Sequence, residues 1–377
     1  MKRTGSNARV SPAGFMRRAL SLARRGAGRT SPNPMVGCVL ARGGRVVGEG
    51  WHRLFGGPHA EPMALARAGA KARGSTAFVT LEPCAEFPGK KTPSCARLLA
   101  QARVARVRAA MLDPNPRVAG RGLSMLRRAG IRADCGLLSQ KARELNAPFV
   151  TWATGGRPRV TLKAAASLDG KIATFRGESK WITSAASRRL SRRLRAGADA
   201  ILVGVGTVLA DDPRLTAGGS ARPPLRVVLA PRFRPPRGAR VLDGSAPTLL
   251  VVAPGALRRA RAAGLPKNIS VLAVDTERRP GSNGKIDLKI LLRALAERGV
   301  LSLLVEGGGR VHTSFLESGL VDEVRLFLAP RFVGGEKAPG FFGGKGVGRL
   351  AKTPWLRTAR VRRVGEDILI TGRIEQP

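Results

Sequence analysis

The chain has 377 residues, of which 43% are hydrophobic, and its 67 lysines and arginines outnumber 25 acidic residues, for a formal net charge of +42. This length predicts two domains with ordinary cores, and no apolar run approaches the roughly 20 residues that a membrane-spanning helix needs. Four cysteines in so long a chain argue against a disulfide framework and indicate a reducing compartment, so we expect a cytoplasmic protein.

Such a charge is typical of nucleic-acid-binding proteins, but its distribution argues against that function. Residues 1–150 carry 27 basic and 7 acidic residues, or +20, and residues 151–377 carry 40 and 18, or +22. The charge is therefore not packed into one tail or helix. Tyrosine is absent and other aromatic residues are few, so platforms for stacked bases are scarce. We expect small phosphate-bearing ligands and no specific nucleic-acid partner.

Strands and helices alternate in the first half, which predicts a sheet with helices on both faces. The predicted elements are a helix at 12–25, a hairpin of strands at 36–40 and 46–48, a helix from His59 to about Ala72, a strand at 77–81, a helix starting at Thr92-Pro93, a strand at 104–111, a helix at 121–130 and a strand at 131–135.

Two motifs of this half carry metal-binding chemistry. His59-Ala60-Glu61 is followed by Pro83-Cys84 and, after ten intervening residues, by Cys95. One histidine and two cysteines supply three zinc ligands and leave a fourth tetrahedral position for water. Glu61 can move protons at that water without binding the metal. The joint pattern is typical of zinc deaminases, in which water replaces an amine on a base ring.

A closed zinc site without chemistry is the alternative interpretation. It requires a fourth protein ligand, and the other cysteines, Cys38 and Cys135, lack metal-ligand spacing. His52 is the only spare histidine nearby. We therefore favour a catalytic site.

Residues 146–158 break the alternating pattern, which predicts a first domain at 1–150 and a second at 151–377. The second half has predicted strands at 159–166, 200–203, 225–230, 248–253, 269–274, 301–305 and 323–329, and predicted helices at 185–196, 287–298 and 310–318. Val305-Glu306-Gly307-Gly308-Gly309 joins a strand directly to a helix. The free backbone N–H groups of such a turn can bind a phosphate, although glycine turns at this junction are common.

From about Phe15 to Thr371 the chain resembles the family of bifunctional riboflavin-biosynthesis proteins, in which a pyrimidine deaminase is fused to a 5-amino-6-(5-phosphoribosylamino)uracil reductase. The resemblance depends on several motifs in order: Pro32-Asn33-Pro34-x-Val36-Gly37, His59-Ala60-Glu61, Thr80-Leu81-Glu82-Pro83-Cys84, Lys91-Thr92-Pro93-x-Cys95, Asp113-Pro114-Asn115-Pro116, residues 161–174, residues 177–184, Val203-Gly204-Val205-Gly206-Thr207, Ala210-Asp211-Asp212-Pro213 and Glu306-Gly307-Gly308.

The resemblance implies an α/β protein, with an N-terminal cytidine-deaminase-like αβα sandwich and a C-terminal dihydrofolate-reductase-like α/β domain. It implies zinc-dependent hydrolytic deamination of 2,5-diamino-6-(5-phosphoribosylamino)pyrimidin-4-one. NADPH-dependent reduction of the ribosyl side chain then gives 5-amino-6-(5-phosphoribitylamino)uracil. An assembly of identical chains is also expected.

The resemblance also implies which residues form the two sites. Zn²⁺ is bound by His59, Cys84 and Cys95, and Glu61 is the catalytic proton shuttle. Substrate contacts fall on Asn33, His52, Lys91, Asp113 and Asn115 in the deaminase and on Ser179, Arg195, Leu215 and Glu306 in the reductase. NADPH contacts fall on Lys163, Ala165, Trp181, Thr207, Asp211, Gly308, Gly309, Arg310, Val311, His312, Thr313 and Ser314.

Three departures from the family pattern bear on these contacts. Ala85-Glu86 stands where the family commonly has Ser-His, and Ala230-Pro231 replaces an Asp-Ser or Asp-Thr pair. Gly218 replaces an arginine, for which Arg222 could substitute. Two rivals are a nucleoside or nucleic-acid deaminase, which usually has the shorter P-C-x2-C spacing, and an RNA-binding protein without enzymatic activity, which would not need the zinc ligands and Glu61.

Overall fold

The computed structural model describes residues 10–86, 93–116, 118–217, 222–234, 238–277, 284–344 and 346–376. The chain divides into two compact units, Met1–Gly156 and Arg157–Pro377. None of the helices within the described ranges combines the length and apolarity that crossing a bilayer requires.

The first unit has six α-helices and five strands among its described residues. The helices are α1 (Pro12–Arg24), α2 (Ala60–Ala68), α3 (Cys95–Gln101), α4 (Arg121–Arg128), α5 (Ser139–Leu145) and α6 (Ala147–Gly155), and the strands are β1 (Gly37–Arg42), β2 (Arg45–Trp51), β3 (Thr76–Val79), β4 (Arg106–Ala109) and β5 (Arg132–Cys135).

These strands form one sheet in the order β2-β1-β3-β4-β5. β1 is antiparallel to both neighbours, whereas β3, β4 and β5 are parallel, so their carboxyl ends share one edge. Helices α2, α3 and α4 supply Ala64, Leu99 and Leu123 to the apolar core on one face. On the other face, Phe15 of α1 lies 5.2 Å from Phe78 between ring centroids. The layers are those of the predicted αβα sandwich.

Two glycines of β2 set the position of α2, the helix that begins just after His59. A Cβ on Gly48 would lie 2.4 Å from Ala64 O, and a Cβ on Gly50 would lie 2.4 Å from Ala60 O. No larger residue fits these positions without moving the helix. Gly48 and Gly50 are two positions apart and so lie on the same face of β2, where they allow α2 to pack directly on the sheet.

The second unit contains the remaining described elements. The strands are β6 (Arg159–Ser167), β7 (Ala200–Gly204), β8 (Leu225–Leu229), β9 (Thr248–Val252), β10 (Ile269–Ala273), β11 (Ser302–Val305), β12 (Glu323–Ala329), β13 (Trp355–Val364) and β14 (Asp367–Glu375), and the helices are α7 (Ala185–Ala196), α8 (Val205–Asp211), α9 (Leu257–Arg261), α10 (Leu288–Glu297) and α11 (Gly309–Glu317).

All nine strands join one sheet in the order β10-β9-β8-β7-β11-β6-β12-β14-β13. Neighbours from β10 to β12 are parallel, and β14 and β13 add antiparallel strands at one edge. Leu202 of β7 packs in a core with α10 and α11, while Ile201 packs with residues of α7 and α8 on the other face. The fold class predicted for this half, an α/β domain, is confirmed.

Several segments differ from the sequence-based expectations, including the helices α5, α8 and α9, which were not predicted. The chain forms α6 at Ala147–Gly155, where a break in the pattern is predicted. Strands β13 and β14 were not predicted; β13 is arginine-rich and exposed at nearly every position, which explains why its pattern gave no signal. An edge strand without a buried face carries no hydrophobic alternation by which the sequence could reveal it.

Candidate active sites

Three side chains of the first unit meet where two helices begin and one strand ends. His59 is the N-cap residue of α2, Cys84 follows β3, and Cys95 is the first residue of α3. Their ligand atoms all lie within 4.8 Å of one another. His59 Nδ1 lies 3.3 Å from Cys95 Sγ and 3.8 Å from Cys84 Sγ. One imidazole and two sulfurs at this spacing fit a zinc ion, and no fourth such ligand joins the group within the described ranges.

The pKa values of the two cysteines in this cluster shift in opposite directions. The hydrogen bond from the Cys95 thiol lowers the pKa of Cys84 to about 4, and the same bond raises the pKa of Cys95. Cys95 N also donates to Cys84 Sγ at 3.3 Å. The fold therefore favours the thiolate form of Cys84, and the thiolate is the form in which a cysteine binds a metal ion.

Glu61 lies in the first turn of α2, two residues after His59. Its side chain is 3% exposed, and its Oε2 has no hydrogen-bond partner in the part of the chain that the structure describes. Burial, followed by the charge of Cys84, raises the pKa of Glu61 to about 7. A buried carboxyl group with an unpaired oxygen beside the cluster can accept and return a proton there.

Asn33 and His52 lie together beside this cluster. His52 Nδ1 is 2.9 Å from Pro58 O, which can only accept, so Nδ1 carries the proton. His52 Nε2 then accepts from Asn33 Nδ2 at 3.1 Å. Burial lowers the pKa of His52, and its ring centroid lies 5.6 Å from that of His59. Asn33 and the neutral His52 therefore form a hydrogen-bonded pair beside the metal-binding cluster.

Asp113 and Asn115 occupy the loop after β4. Asp113 Oδ1 accepts from Asn115 N at 2.8 Å, and burial raises the pKa of Asp113 to about 6. A half-buried carboxyl group of this kind can exist in both protonation states near neutral pH. Lys91, the remaining predicted contact of this unit, lies outside the described residues.

Glu82 holds that loop, and sequence reasoning assigned it no role. Its Oε2 accepts from Asp113 N at 3.2 Å and Gly120 N at 2.9 Å, and its Oε1 accepts from Leu123 N at 3.1 Å. The sequence does contain a signal for Glu82: it is a glutamate that comes directly after a predicted apolar strand and before a proline. Such a buried carboxylate needs several donors.

Asn146 is a second positioning residue absent from the predicted set. Its Oδ1 accepts from Met35 N at 2.8 Å, and its Nδ2 donates to Met35 O at 2.9 Å. Asn146 is 2% exposed. It therefore fixes the turn that carries Asn33, although 111 residues separate it from Met35.

In the second unit, predicted site residues gather near the carboxyl ends of the parallel neighbours β6, β11 and β7. Glu306 follows β11 and receives two bonds from Arg195: Nε to Oε1 at 2.8 Å and Nη2 to Oε2 at 2.7 Å. Lys163 lies on the adjacent strand β6. Burial lowers the pKa of Lys163. Burial alone would raise the pKa of Glu306, but the charge of Lys163 and the bonds from Arg195 lower it.

Three further contacts form around α8, which follows β7. Thr207 Oγ1 accepts from Gly308 N at 3.1 Å. Asp211 Oδ1 accepts from Ser179 Oγ at 2.5 Å, and Asp211 O accepts from Lys180 Nζ at 3.0 Å. The strand-to-helix turns after β7 and β11 thus lie side by side. A Cβ on Gly206 would meet nothing within 4 Å, so this turn leaves open space of the kind in which a cofactor phosphate binds.

The predicted cofactor residues of α11 fall into two groups. Gly308, Gly309, Arg310 and Ser314 are partly or fully exposed, whereas Val311 packs against the apolar core. His312 and Thr313 are buried and bind the segment 341–343: His312 Nδ1 lies 3.0 Å from Phe341 O, and Thr313 Oγ1 donates to Gly343 O at 2.7 Å. These two side chains hold protein backbone rather than face open space.

The remaining predicted residues of this unit have different environments. Trp181 is 63% exposed. The Arg188 guanidinium carbon lies over its indole, 4.6 Å from the centroid of the Trp181 ring. Ala165 shares a strand face with Lys163. Leu215 is 2% exposed within the apolar core, so only its backbone is available to a ligand.

Of the departures, Ala230 is buried, and Gly218 lies outside the described residues. Glu86 Oε1 accepts from Ser94 N at 3.0 Å, so this glutamate connects the segment after Cys84 to the N-cap residue of α3.

Comparisons with known proteins match both halves of the chain to known families. Residues 11–111 match the cytidine and deoxycytidylate deaminase zinc-binding region, and residues 158–370 match the RibD C-terminal domain. The riboflavin biosynthesis protein RibD of Bacillus amyloliquefaciens is 43% identical over 361 residues, with 95% of each chain covered. RibD of Escherichia coli strain K12 is 40% identical over 370 residues, covering 94% of this chain and 97% of that protein.

Solved structures give the same result for the fold. A diaminohydroxyphosphoribosylaminopyrimidine deaminase/5-amino-6-(5-phosphoribosylamino)uracil reductase from Thermotoga maritima superimposes with a TM-score of 0.85 at 35% identity, covering 96% of this chain and 98% of that one. RibD of Acinetobacter baumannii superimposes with a TM-score of 0.84 at 35% identity, covering 97% and 99%.

Fold, metal cluster and family matches define a bifunctional enzyme in which a zinc-dependent deaminase domain precedes an α/β reductase domain. The chain belongs to the RibD family of riboflavin biosynthesis proteins. Zinc in the first half and NADPH in the second are the cofactors that these domains use.

Proposed function

We propose that the first unit hydrolytically deaminates 2,5-diamino-6-(5-phosphoribosylamino)pyrimidin-4-one and that the second reduces the resulting ribosylamino compound with NADPH. The named activities of the Thermotoga maritima relative support this assignment of reactions. The observation that carries it is the cluster of His59, Cys84 and Cys95 with the unpaired Glu61 Oε2 beside it. The domain boundary that we propose lies at Gly156, close to the 1–150 and 151–377 division that the sequence predicts.

In the deaminase, His59, Cys84 and Cys95 would hold the zinc ion. Bound zinc acts as a Lewis acid that makes water a stronger nucleophile at neutral pH. Glu61 accepts a proton from the attacking water and donates one to the departing amine, so that water is consumed and ammonia released. Its unpaired oxygen and raised pKa fit both directions of transfer.

The polar groups around the cluster would bind and orient the pyrimidine. Asn33 is fixed by its bond to the neutral His52 and by the Asn146 clamp on Met35. Asp113 and Asn115 present groups from the opposite loop, held by Glu82. We propose Lys91 as a further contact on the family resemblance alone.

In the reductase, the turns at Thr207 and Gly308 would hold the phosphates of NADPH, with Ala165, Trp181, Asp211, Gly309, Arg310 and Ser314 as further contacts. NADPH supplies the hydride that reduces the sugar carbon. We propose that the Arg195–Glu306 pair, Ser179 and the Leu215 backbone bind the substrate, and that Lys163, whose charge lies near Glu306, contacts NADPH. Val311, His312 and Thr313 would act by shaping the helix start.

One assay tests the two reactions together. The purified, zinc-containing chain is given the diamino pyrimidine phosphate with NADPH, and ammonia release and cofactor oxidation are followed separately. We expect ammonia to appear first and cofactor oxidation to follow. Cofactor oxidation on the diamino compound without ammonia release would contradict the proposed order, and failure of both would reject the proposal.

The proposal includes a cytoplasmic location, no specific nucleic-acid partner and assembly from identical chains. Free Cys38, Cys84, Cys95 and Cys135 suit a reducing compartment. RNA binding that persists near physiological salt and prefers one sequence would contradict the absence of a specific nucleic-acid partner. Light scattering would test whether identical chains assemble.

A further inference from the structure

The residues at the carboxyl end of β6, 167–172, have no role in the reactions proposed above. They carry the sequence Ser-Leu-Asp-Gly-Lys-Ile. Because β12 is a parallel neighbour of β6, the chain leaves both strands at the same edge of the sheet. After β12 comes the strap, residues 331–344, which the structure describes in full and which contains neither a helix nor a strand of the sheet. The loop after β6 and the strap therefore lie side by side.

Asp169 binds the strap through both oxygens of its carboxylate. Oδ1 accepts from Val333 N at 3.1 Å, and Oδ2 accepts from Gly334 N at 2.7 Å. Gly334 has a φ of 66°, in the left-handed region that favours glycine. Hydrogen bonding by Ser167 and by these two N–H groups lowers the pKa of Asp169 to about 2, so the side chain is a charged acceptor near neutral pH.

Backbone contacts continue this connection on both sides of Asp169. Three N–H groups donate across it: Leu168 N to Arg331 O at 2.8 Å, Ile172 N to Pro339 O at 2.9 Å, and Phe341 N to Gly170 O at 3.1 Å. Lys171 Nζ also donates to Ala338 O at 3.1 Å. Asp169 contributes two bonds through a single side chain, so its removal would loosen the strap without changing the backbone of either segment.

The strap also contacts two elements that are predicted to bind NADPH. Near its start, Arg331 Nη1 donates to Trp181 O at 3.3 Å. Near its end, a Cβ on Gly309 would lie 2.5 Å from Gly340 O, so the first residue of α11 lies directly against the strap. Two buried side chains of the same helix bind the last residues of the strap. The position of the strap therefore affects the glycine turn and the Trp181 segment together.

We propose that Asp169 is a positioning residue of the reductase, which fixes the strap and thereby holds the start of α11 and the Trp181 segment in the arrangement that binds NADPH. This inference rests on the proposed function, which places the cofactor at these elements. Asp169 acts through the strap, because both its oxygens are bonded to strap N–H groups. Its loss should therefore weaken NADPH binding and leave hydride transfer from bound cofactor unchanged.

The test compares three variants of the full-length chain. D169A removes both side-chain bonds to the strap. E336A removes an exposed carboxylate from the strap itself and leaves those bonds in place. D322A is a control for stability: Asp322 accepts from Val160 N at 2.7 Å and pairs with Arg157 at 2.7 Å, at the amino end of β6 and therefore at the opposite edge of the sheet.

Four measurements are made on each variant. Calorimetry gives Kd for NADPH, and steady-state kinetics with the pre-deaminated substrate give KM for NADPH and kcat. Hydrogen–deuterium exchange of the cofactor-free chain reports on the backbone of the strap. Thermal melting reports on overall stability, so that a loss of cofactor affinity can be compared with a loss of folding.

For D169A we expect Kd and KM for NADPH to rise about 3- to 10-fold with kcat little changed, as the loss of one or two hydrogen bonds predicts. The strap should exchange faster, most of all around Val333 and Gly334. D169N, which keeps one acceptor oxygen, should recover part of the affinity. E336A should behave as the original chain, and D322A should melt earlier but bind NADPH normally.

Three outcomes would overturn the inference. Unchanged NADPH affinity in D169A despite faster exchange would show that the strap does not position the cofactor. Unchanged exchange would show that Asp169 does not fix the strap. An equal loss of affinity in D322A would reduce the effect to general destabilisation. If D169A did not fold, D169N would be compared with D322A in the same way. Failure of the original chain to bind NADPH would instead reject the cofactor placement on which the inference rests.

Discussion

In the first unit, the Glu61 carboxyl has an oxygen with no partner among the described residues, and the His59, Cys84 and Cys95 cluster lies beside it. In the second unit, Glu306, whose side chain is 7% exposed, has two bonds from Arg195 and lies near the charge of Lys163. The deaminase site is completed by a ligand, whereas the reductase site pairs its own charges. Substitutions in the two sites should therefore have different effects. In the first unit they should remove metal binding or proton transfer, and in the second they should lower stability as well as activity.

The largest expected effect comes from removing a metal ligand. Cys84→Ser or Cys95→Ser should abolish zinc binding and deamination, because two remaining ligands hold the ion poorly. Metal analysis and an ammonia assay would measure this. Cys135→Ser, which changes an exposed cysteine outside the cluster, is the matched control. Full zinc retention in either ligand variant would sink the metal assignment.

Next in size is the loss of the proton shuttle. Glu61→Gln should lower the deamination rate by about 10²–10⁴-fold, the range typical of general acid–base groups. Zinc should remain bound, and NADPH-dependent reduction of the pre-deaminated substrate should be unchanged. A folded variant that lost reduction as fully as deamination would refute the separation of the two sites.

The same substitution at Glu306 should act on both stability and activity. Glu306→Gln leaves Arg195 and Lys163 without their carboxylate, and breaking a buried ion pair costs about 3 kcal/mol. Denaturant unfolding should show this loss, and reduction should fall while deamination persists.

Glu323→Gln serves as the control for Glu306→Gln. Its carboxylate pairs with Arg325 at 2.7 Å in a more exposed position, so about 1 kcal/mol or less is expected. Equal losses of stability in the two variants, or undiminished reduction by Glu306→Gln, would contradict the proposed role of the Arg195–Glu306 pair.

The smallest expected effect is at the Asn146 clamp. Asn146→Ala removes two hydrogen bonds to Met35, which should destabilise the first unit by about 1–3 kcal/mol and loosen the turn that carries Asn33. A modest rise in the deamination KM should accompany the lower unfolding midpoint. Gln140→Ala, at an exposed position of α5, should change neither.

The sequence predicted the metal cluster well because its ligands lie in short motifs next to element ends. His59 precedes a helix, Cys84 follows a strand, and Cys95 begins a helix, so local patterns place all three. Most strands were also predictable, since parallel strands buried on both faces are continuous apolar runs.

Contacts between distant segments were not predictable from spacing. Arg195 and Glu306 are 111 residues apart, and nothing local marks them as a pair. Glu82 has a motif position but no visible partners, because its donors belong to a loop about 30 to 40 residues further along. The family resemblance included Leu215 and Thr313 in the sites, but it could not show that both side chains are buried.

The contacts of Glu82 and Asn146 bear on where the first unit could be separated from the rest of the gene product. The family match to the zinc-binding region stops at residue 111, before Gly120 and Leu123, the donors that hold the Asp113 loop. It also stops well before Asn146, which fixes Met35. An independently expressed deaminase that ended near residue 111 would contain every zinc ligand but would lack the supports of its substrate loops. Autonomy therefore requires a chain that extends through Asn146.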